Sequence, residues 1–198
     1  MPAPIPFIDL GAQRRRLGES INQAMLRVVD HCGYIMGPEV KALEAQLGQF
    51  CGVKHVLSCA SGTDALALVL MAKRVGPGDA VLCPTFTFAA TAEVVAWVGA
   101  TPVFVDSHAD SFNMDPTSLR QGIATARQSG LRPVGVIPVD LFGQAADYDA
   151  LLPICEAEGL WVMCDAAQSF GATYKRRHLG SFGLATTTSF FPAKPLGC

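Results

Sequence analysis

The feature that most constrains the fold is an alternation of short, β-rich apolar runs with longer helical stretches. The helical stretches cover residues 62–74, 87–98, 116–127 and 147–158. The runs lack a clean apolar–polar alternation, which is typical of strands covered on both faces. We therefore predict an α/β fold, a mostly parallel sheet sandwiched by helices. The strand candidates are KHVLSC, AVLCP, TPVFVD, PVGVIPV, LWVMCD and LATTTSF.

Helical sequence dominates the region before this alternation. We expect one amphipathic helix over residues 8–31 and a second over residues 37–52, with Pro38 in its first turn. The predicted domain organisation is accordingly an N-terminal helical arm at residues 1–52 and a larger α/β domain at residues 53–198.

Local signals also mark positions inside the larger domain. Asp115 stands before a proline, and Asp147 stands at the start of a helical stretch, so both are predicted N-caps. The Gly-bounded polar segment 171–183 predicts a hairpin.

Composition excludes several classes of function. A net charge of −2 and a pI near 6.0 do not favour a nucleic-acid partner. The longest apolar run, ALALVLMA, is far shorter than the roughly 20 residues of a membrane span. The chain starts without a signal-like segment, and its seven cysteines form no C-x-x-C pair. We expect a soluble, cytoplasmic protein with reduced cysteines and no structural metal.

The balance of residue types adds one expectation. Hydrophobic residues make up 50% of the chain and charged residues 16%, against about 25% charged in an average soluble domain. The extra apolar surface could be hidden in a sheet covered on both faces, in a subunit interface, or in a missing part of the protein.

The run SCASGTDALALVL is the first candidate for chemistry, because a turn leads into a helix there. Unpaired N–H groups at a helix start attract anions, so Gly62 and Thr63 could hold a phosphate. An ordinary turn is the alternative. Neither a P-loop nor a G-x-G-x-x-G fingerprint occurs in the chain.

Two further runs end at the predicted carboxyl edge of the sheet, where open α/β sheets bind ligands. In CPTFTFAATAEVV, Phe86 or Phe88 could stack on a flat cofactor ring, or both could be core residues. In LWVMCDAAQSFG, Asp165 ends a buried strand and could pair with a pyridinium nitrogen, with Gln168 near a ring substituent. An aspartate that only caps the next turn is the alternative.

The run TSFFPAKPLGC contains a lysine in apolar surroundings, Lys194. Burial disfavours the charged form of an amine, and a neutral amine can attack an aldehyde. Ser189 could add a hydroxyl to a phosphate site. A strand end that meets solvent is the alternative for Lys194. Taken together, these candidates are the partners that pyridoxal phosphate needs.

These runs together resemble the sugar aminotransferases of the DegT/DnrJ/EryC1/StrS family, over essentially all 198 residues. The resemblance implies the large-domain fold of the aspartate-aminotransferase type (fold type I) of pyridoxal-phosphate enzymes, here truncated. The motifs that carry it are FIDL, GPEVKALE, CASGTDAL, VGPGDAVLCPTFTFAATAEVV, GATPVFVD, VIPVDLFGQAADYDAL, DAAQSFGATYK and SFFPAKPLG.

The resemblance also implies roles for individual residues. Lys194 would attach the cofactor, pyridoxal 5'-phosphate, and would be the catalytic proton shuttle. Asp165 would pair with the ring nitrogen, Gln168 would lie near the phenolic oxygen, and Phe88 would stack on the ring. The phosphate would be held by Gly62, Thr63 and Ser189.

The implied reaction is transfer of an amino group from glutamate to a keto group of a nucleotide-linked sugar. The runs most resemble members that aminate the 3-keto position of a UDP-linked N-acetylhexosaminuronic acid, for surface polysaccharide or lipopolysaccharide synthesis. Such enzymes work as homodimers in their full-length form. Asp140 stands where many relatives have histidine, so we expect different substrate contacts there.

Three alternatives accompany this interpretation. Relatives run to roughly twice this length, so we expect an N-terminal fragment, which could be catalytically inactive. A family dehydratase would have histidine in place of Lys194. A regulatory or interaction protein on the same scaffold would bind the cofactor without attaching it.

Overall fold

The computed structural model describes residue 5 and residues 8–197, and the chain forms two compact units. One comprises Met1–Phe50 and Lys54–Ser58, and the other comprises Cys51–Val53 and Cys59–Cys198. The predicted boundary after residue 52, and the naming of the two parts as arm and large domain, stay predictions.

The first three helices are α1 (Leu10–Leu17), α2 (Glu19–His31) and α3 (Pro38–Cys51). The prediction of a single helix over residues 8–31 was wrong. Gly18 breaks it with φ 58° and ψ −139°, a backbone conformation that glycine adopts without steric cost.

The run KHVLSC was predicted as a strand, and this prediction was also wrong. Residues 53–60 contain no strand, and Leu57 is 88% exposed. Apolar β-rich composition is not sufficient, because a strand also needs a neighbour for its backbone groups. Among the described residues none pairs with this run.

The second unit contains the predicted parallel sheet. Its strands are β1 (Asp79–Pro84), β2 (Thr101–Val105), β3 (Arg132–Val136), β4 (Trp161–Asp165) and β7 (Ala185–Thr187). They lie in the order β2-β1-β3-β4-β7, and every neighbouring pair is parallel. The α/β class and five of the six predicted strands are therefore confirmed.

The helices of this unit also agree with the sequence. They are α4 (Gly62–Ala72), α5 (Ala90–Trp97), α6 (Pro116–Gln128) and α7 (Tyr148–Ala157). The side chain of Asp115 accepts a hydrogen bond from the N–H of Thr117, and that of Asp147 accepts one from Ala150. Both predicted N-caps are thus confirmed.

The remaining elements are short. The predicted hairpin is present as β5 (Thr173–Tyr174) paired antiparallel with β6 (Arg177–His178), and a 3₁₀ turn covers Leu141–Gly143. No helix among the described residues is both long and apolar enough to cross a membrane.

Two apolar clusters cover the two faces of the sheet, which explains the continuous apolar runs in the strands. One cluster unites residues of α4 and α5, such as Leu70 and Val94, with Val81 of β1. The other unites residues of α6 and α7, such as Leu119, with Leu82 of β1. Successive residues of one strand thus face different clusters.

Because all five strands are parallel, their carboxyl ends meet at one edge of the sheet. The segments that follow β1, β3, β4 and β7 therefore lie along this edge, which is the usual ligand edge of an open α/β sheet.

Candidate active site

Most of the predicted site residues lie at this carboxyl edge. Asp165 is the last residue of β4 and is the register partner of Thr187 at the end of β7. Ser189 and Lys194 follow β7, Gln168 follows β4, and Phe88 lies between β1 and α5. Gly62 and Thr63 are the first two residues of α4.

The start of α4 is in contact with the segment after β7. A Cβ atom added to Gly62 would lie 2.9 Å from the Cβ atom of Ser189 and 3.1 Å from the carbonyl oxygen of Thr188. Only glycine fits this approach without displacing backbone. The structure therefore brings the start of α4, with Gly62 and Thr63, next to Ser189, the third residue predicted to hold phosphate.

Hydrogen bonding at this helix start leaves donors available. The Ser61 hydroxyl caps the helix by accepting from the Asp64 N–H, at 3.0 Å. Within the described part of the chain, the N–H groups of Gly62 and Thr63 have no acceptor. Two free N–H groups beside the Ser189 hydroxyl suit an anion such as a phosphate.

Asp165 is buried, with 6% of its surface exposed. Its Oδ1 accepts from the Ala167 N–H at 3.1 Å, and its Oδ2 accepts from the Thr91 hydroxyl at 3.0 Å. Burial raises the pKa of this carboxyl, and the two hydrogen bonds and the positive charge of Lys194 act in the opposite direction. A cation next to Asp165 is therefore favourable.

Lys194 is half-buried in a turn after Ser189, where its N–H donates to the Phe191 carbonyl at 2.8 Å. Its charge acts on Asp165. Among the described residues, no carboxylate lies within ion-pair distance of the Lys194 ammonium group. The amine is not engaged in a structural salt bridge and is available for chemistry.

Gln168 is fixed by one half of its side-chain amide. Its Oε1 accepts from the Phe142 N–H at 2.7 Å, while its Nε2 has no acceptor among the described residues. The N–H groups on Nε2 can donate to an oxygen atom of a ligand. Because the hydrogen bond to Oε1 fixes the orientation of the amide, it also fixes the direction of these N–H groups.

The two phenylalanine candidates differ in their surroundings. Phe86 packs against Phe112 and Phe142, with ring centroids 5.6 and 6.1 Å apart. Phe88 is 67% exposed. Phe88 is therefore the better candidate to stack on a ligand ring.

Sequence reasoning missed the role of Asp140. Its Oδ1 accepts from the Ala146 N–H and the Tyr148 hydroxyl, both at 2.8 Å, and its Oδ2 accepts from the Ser169 hydroxyl at 3.2 Å. The residue has 0% exposure, and burial raises the pKa of its carboxyl. Asp140 holds the loop after β3 in place, and its carboxylate is closed off from a substrate.

Thr91 was also missed. It lies in the first turn of α5 and is fully buried, and its hydroxyl bonds both Asp165 and Thr87. In the sequence, a threonine in FAATAEVV carries no signal that separates it from an ordinary helix residue.

A pyridoxal phosphate fits this set of groups. The free N–H groups of α4 and the Ser189 hydroxyl match its phosphate, and Asp165 matches its ring nitrogen. Lys194 is the amine that its aldehyde needs. No group of three or more His, Cys, Asp or Glu residues that could hold a metal ion occurs in the part of the chain described.

Comparison with known proteins places the chain in a family. The profile of the DegT/DnrJ/EryC1/StrS aminotransferase family matches residues 15–198. The UDP-2-acetamido-2-deoxy-3-oxo-D-glucuronate aminotransferase of Pseudomonas aeruginosa is 48% identical, over 98% of this chain and 52% of that protein.

Solved structures agree. A DegT DnrJ EryC1 StrS aminotransferase from Brucella abortus matches with a TM-score of 0.96 and 53% identity, over 98% of this chain and 52% of that chain. A protein assigned as a sugar aminotransferase from Streptococcus pneumoniae, in its PLP form, matches with a TM-score of 0.79 and 33% identity, over 87% of this chain and 47% of that one.

The chain therefore belongs to the DegT/DnrJ/EryC1/StrS aminotransferase family, as the sequence motifs indicated. Pyridoxal phosphate is confirmed as the cofactor of this family. The chain spans about half the length of the curated relatives it matches. The roles of the individual site residues stay predictions.

Proposed function

We propose that this chain contains the cofactor half-site of a pyridoxal-phosphate aminotransferase. The enzyme transfers an amino group from glutamate to a keto group of a nucleotide-linked sugar. The observation that supports this most is the convergence of Gly62, Asp165 and Ser189 with Lys194 at one edge of the sheet.

The proposed substrate is the 3-keto form of a UDP-linked N-acetylhexosaminuronic acid. The 48% identity to the P. aeruginosa aminotransferase, whose name gives such a substrate, supports it. The product would enter surface polysaccharide, including lipopolysaccharide. We further propose that the full-length enzyme is a cytoplasmic homodimer.

Different residues of this chain would bind the phosphate, the phenolic oxygen and the ring of the cofactor. The N–H groups of Gly62 and Thr63 and the hydroxyl of Ser189 bind the phosphate. Gln168 donates from its amide nitrogen to the phenolic oxygen, and the Phe88 ring covers one face of the cofactor ring.

Two residues would do the proton chemistry. When bound, pyridoxal phosphate would supply an electron sink beside the transferred nitrogen. The Asp165 carboxylate holds a proton on the ring nitrogen, which maintains that sink. The Lys194 amine would accept the proton of the substrate carbon that carries the transferred nitrogen, and in the second half of the reaction it would return a proton to the corresponding carbon of the acceptor.

Titration of the purified chain with pyridoxal phosphate tests this proposal. We expect a saturable visible absorption band for the chain, and in the full-length enzyme we expect glutamate to discharge this band with release of 2-oxoglutarate. In the full-length enzyme, the 3-keto UDP-uronic acid should then restore the band, whereas a dTDP-linked 3-keto sugar should restore it more slowly.

The matched control compares two lysine variants. Lys194→Ala should lose the band, and Lys73→Ala, at the end of α4, should keep it. A wild-type chain that gives no saturable band contradicts the proposal. In the full-length enzyme, a band that glutamate leaves unchanged contradicts the amino donor and leaves the cofactor half-site standing.

A further inference from the structure

The hydroxyls of two threonines, Thr87 and Thr91, form a chain of hydrogen bonds to Asp165, the buried carboxyl at the end of β4. The Thr91 hydroxyl donates to Oδ2 of Asp165 at 3.0 Å. The Thr87 and Thr91 hydroxyl oxygens are 3.0 Å apart. Thr91 has 0% exposure, so water does not replace these contacts.

The direction of this chain of hydrogen bonds follows from the number of protons. Each threonine hydroxyl has one proton to donate. The Thr91 proton is used on Asp165, so the Thr87 hydroxyl donates to Thr91. Both hydroxyl dipoles therefore point toward the carboxylate and favour its charged form.

This use of Thr91 is unusual for a helical threonine. In a helix, the threonine hydroxyl commonly bonds a backbone carbonyl one turn earlier. Here its acceptor is Asp165, 74 residues away in the sequence. Fixing a distant carboxylate is a tertiary role, which helix formation alone does not require.

The same pair of hydroxyls connects Asp165 to the segment that carries Phe88. Thr87 is the residue before Phe88, and the Thr91 N–H donates to the Phe88 carbonyl at 3.1 Å. Thr91 thus contacts both the carboxyl proposed for the ring nitrogen and the segment of the aromatic residue proposed for the ring face.

None of the other titratable groups that act on Asp165 in the described structure donates a hydrogen bond to its carboxyl as Thr91 does. Lys194 acts on it through its charge, and Asp140 is a second buried carboxyl. Burial raises the pKa of the Cys83 and Cys164 thiols to about 12, so both stay neutral. The Thr91 hydroxyl is the side-chain donor to the Asp165 carboxyl in the described structure.

We propose that Thr91, assisted by Thr87, is a positioning residue that orients the Asp165 carboxylate toward the cofactor's ring nitrogen and keeps the shared proton on that nitrogen. This inference depends on the proposed function, because the ring nitrogen belongs to pyridoxal phosphate. It adds a residue of α5 to a half-site whose other proposed residues lie at the start of α4, before α5, at and after the end of β4, and after β7.

Thr91→Val tests the proposal, because it removes the hydroxyl and keeps the shape. We expect the affinity for pyridoxal phosphate to fall about tenfold. With ring-labelled cofactor, the ¹⁵N chemical shift should move toward that of an unprotonated ring nitrogen. Thr91→Ser keeps the hydroxyl. Its affinity for pyridoxal phosphate should be within about twofold of wild type, and its ¹⁵N chemical shift should equal that of wild type.

The matched control is Thr187→Val. Thr187 is also buried at a strand end, but its hydroxyl bonds the Cys164 carbonyl. We expect its affinity within about twofold of wild type and an unchanged ¹⁵N shift. Thr87→Val alters a half-buried loop residue and should give about a threefold loss, which also tests the proposal should Thr91→Val unfold.

A measurement without cofactor separates this inference from the proposed function. The hydrogen bond from Thr91 lowers the pKa of Asp165, so in Thr91→Val a ¹³C titration of the carboxyl should give a higher value. A Thr91→Val chain that binds like wild type, with an unchanged ¹⁵N shift, overturns the inference and leaves the proposed function standing. A wild-type chain without binding overturns both.

Discussion

Gly62 at the start of α4 lies against Ser189 after β7, so closely that a Cβ atom on Gly62 would be 2.9 Å from that of Ser189. The contact joins a helix N-terminus, with its free N–H groups, to a side-chain hydroxyl. It leaves no space for a side chain at position 62, so the fold requires a glycine there.

Gly62→Ala should weaken both stability and cofactor binding. The added methyl group must displace Ser189 or the Thr188 backbone, and overpacking of this kind costs about 1–3 kcal/mol. The displaced groups are those proposed to hold phosphate, so the dissociation constant of pyridoxal phosphate should rise at least about tenfold. Urea unfolding and equilibrium binding measure the two effects.

The control for this prediction is Gly76→Ala. A Cβ atom there meets only the Val98 carbonyl, at 3.8 Å. We expect stability within about 0.5 kcal/mol of wild type and normal binding. An unchanged affinity in Gly62→Ala would rule out a phosphate site at the start of α4.

Asp165→Asn should flatten the pH dependence of stability in the cofactor-free chain. Burial raises the pKa of Asp165 above its ordinary value of 3.8, so the folded state binds this proton more tightly than the unfolded state. Proton binding by Asp165 therefore adds to the free energy of unfolding at pH values below 3.8. This contribution is lost as the pH rises from there through the raised pKa of the folded state.

Urea unfolding at a series of pH values measures this effect, from about pH 4 to about pH 8. The exposed carboxylate variant Asp110→Asn is the control and should retain the wild-type slope. If Asp165→Asn instead becomes more sensitive to rising pH than wild type, the carboxyl is not destabilised by burial.

Tyr148→Phe should destabilise the chain by about 1.5–3 kcal/mol, the usual contribution of a hydrogen bond to a charged group. The Tyr148 hydroxyl donates to Asp140 at 2.8 Å, and Tyr148 is 1% exposed. Its loss leaves the Asp140 carboxyl with one donor fewer in a place that water does not reach.

Tyr174→Phe is the matched control for this change. The Tyr174 hydroxyl makes a longer hydrogen bond, 3.4 Å, to Asp147 near the surface. We expect a loss within about 0.5 kcal/mol. Urea unfolding measures both losses. Equal losses in the two variants would mean that the buried hydrogen bond from Tyr148 to Asp140 stabilises the chain no more than the surface hydrogen bond from Tyr174.

The sequence predicted those parts of the fold and site that have local signals. Continuous apolar runs predicted six strands, of which five are present, and acidic residues before helical stretches indicated the caps at Asp115 and Asp147. Gly62 was proposed for the phosphate because a turn meets a helix there, and Asp165 was proposed for the ring nitrogen because a carboxylate ends a buried strand.

Features that depend on distant partners could not be predicted in this way. KHVLSC has the composition of a strand, yet pairing is decided by a neighbour and not by composition. Different substrate contacts at Asp140 stay a prediction, but its structural role depends on donors that only the fold brings around it. Thr91 acquires its importance from a carboxyl 74 residues away.

Reduction of the chain with borohydride in the presence of pyridoxal phosphate, followed by peptide mapping, tests the central claim most directly. The claim is that Lys194 is the amine of a cofactor site built with Asp165 and the Gly62–Ser189 contact. It predicts one dominant label on Lys194, lost in Lys194→Ala and weakened in Gly62→Ala. Labels scattered over exposed lysines, such as Lys73 and Lys175, with Lys194 unmodified, would contradict it.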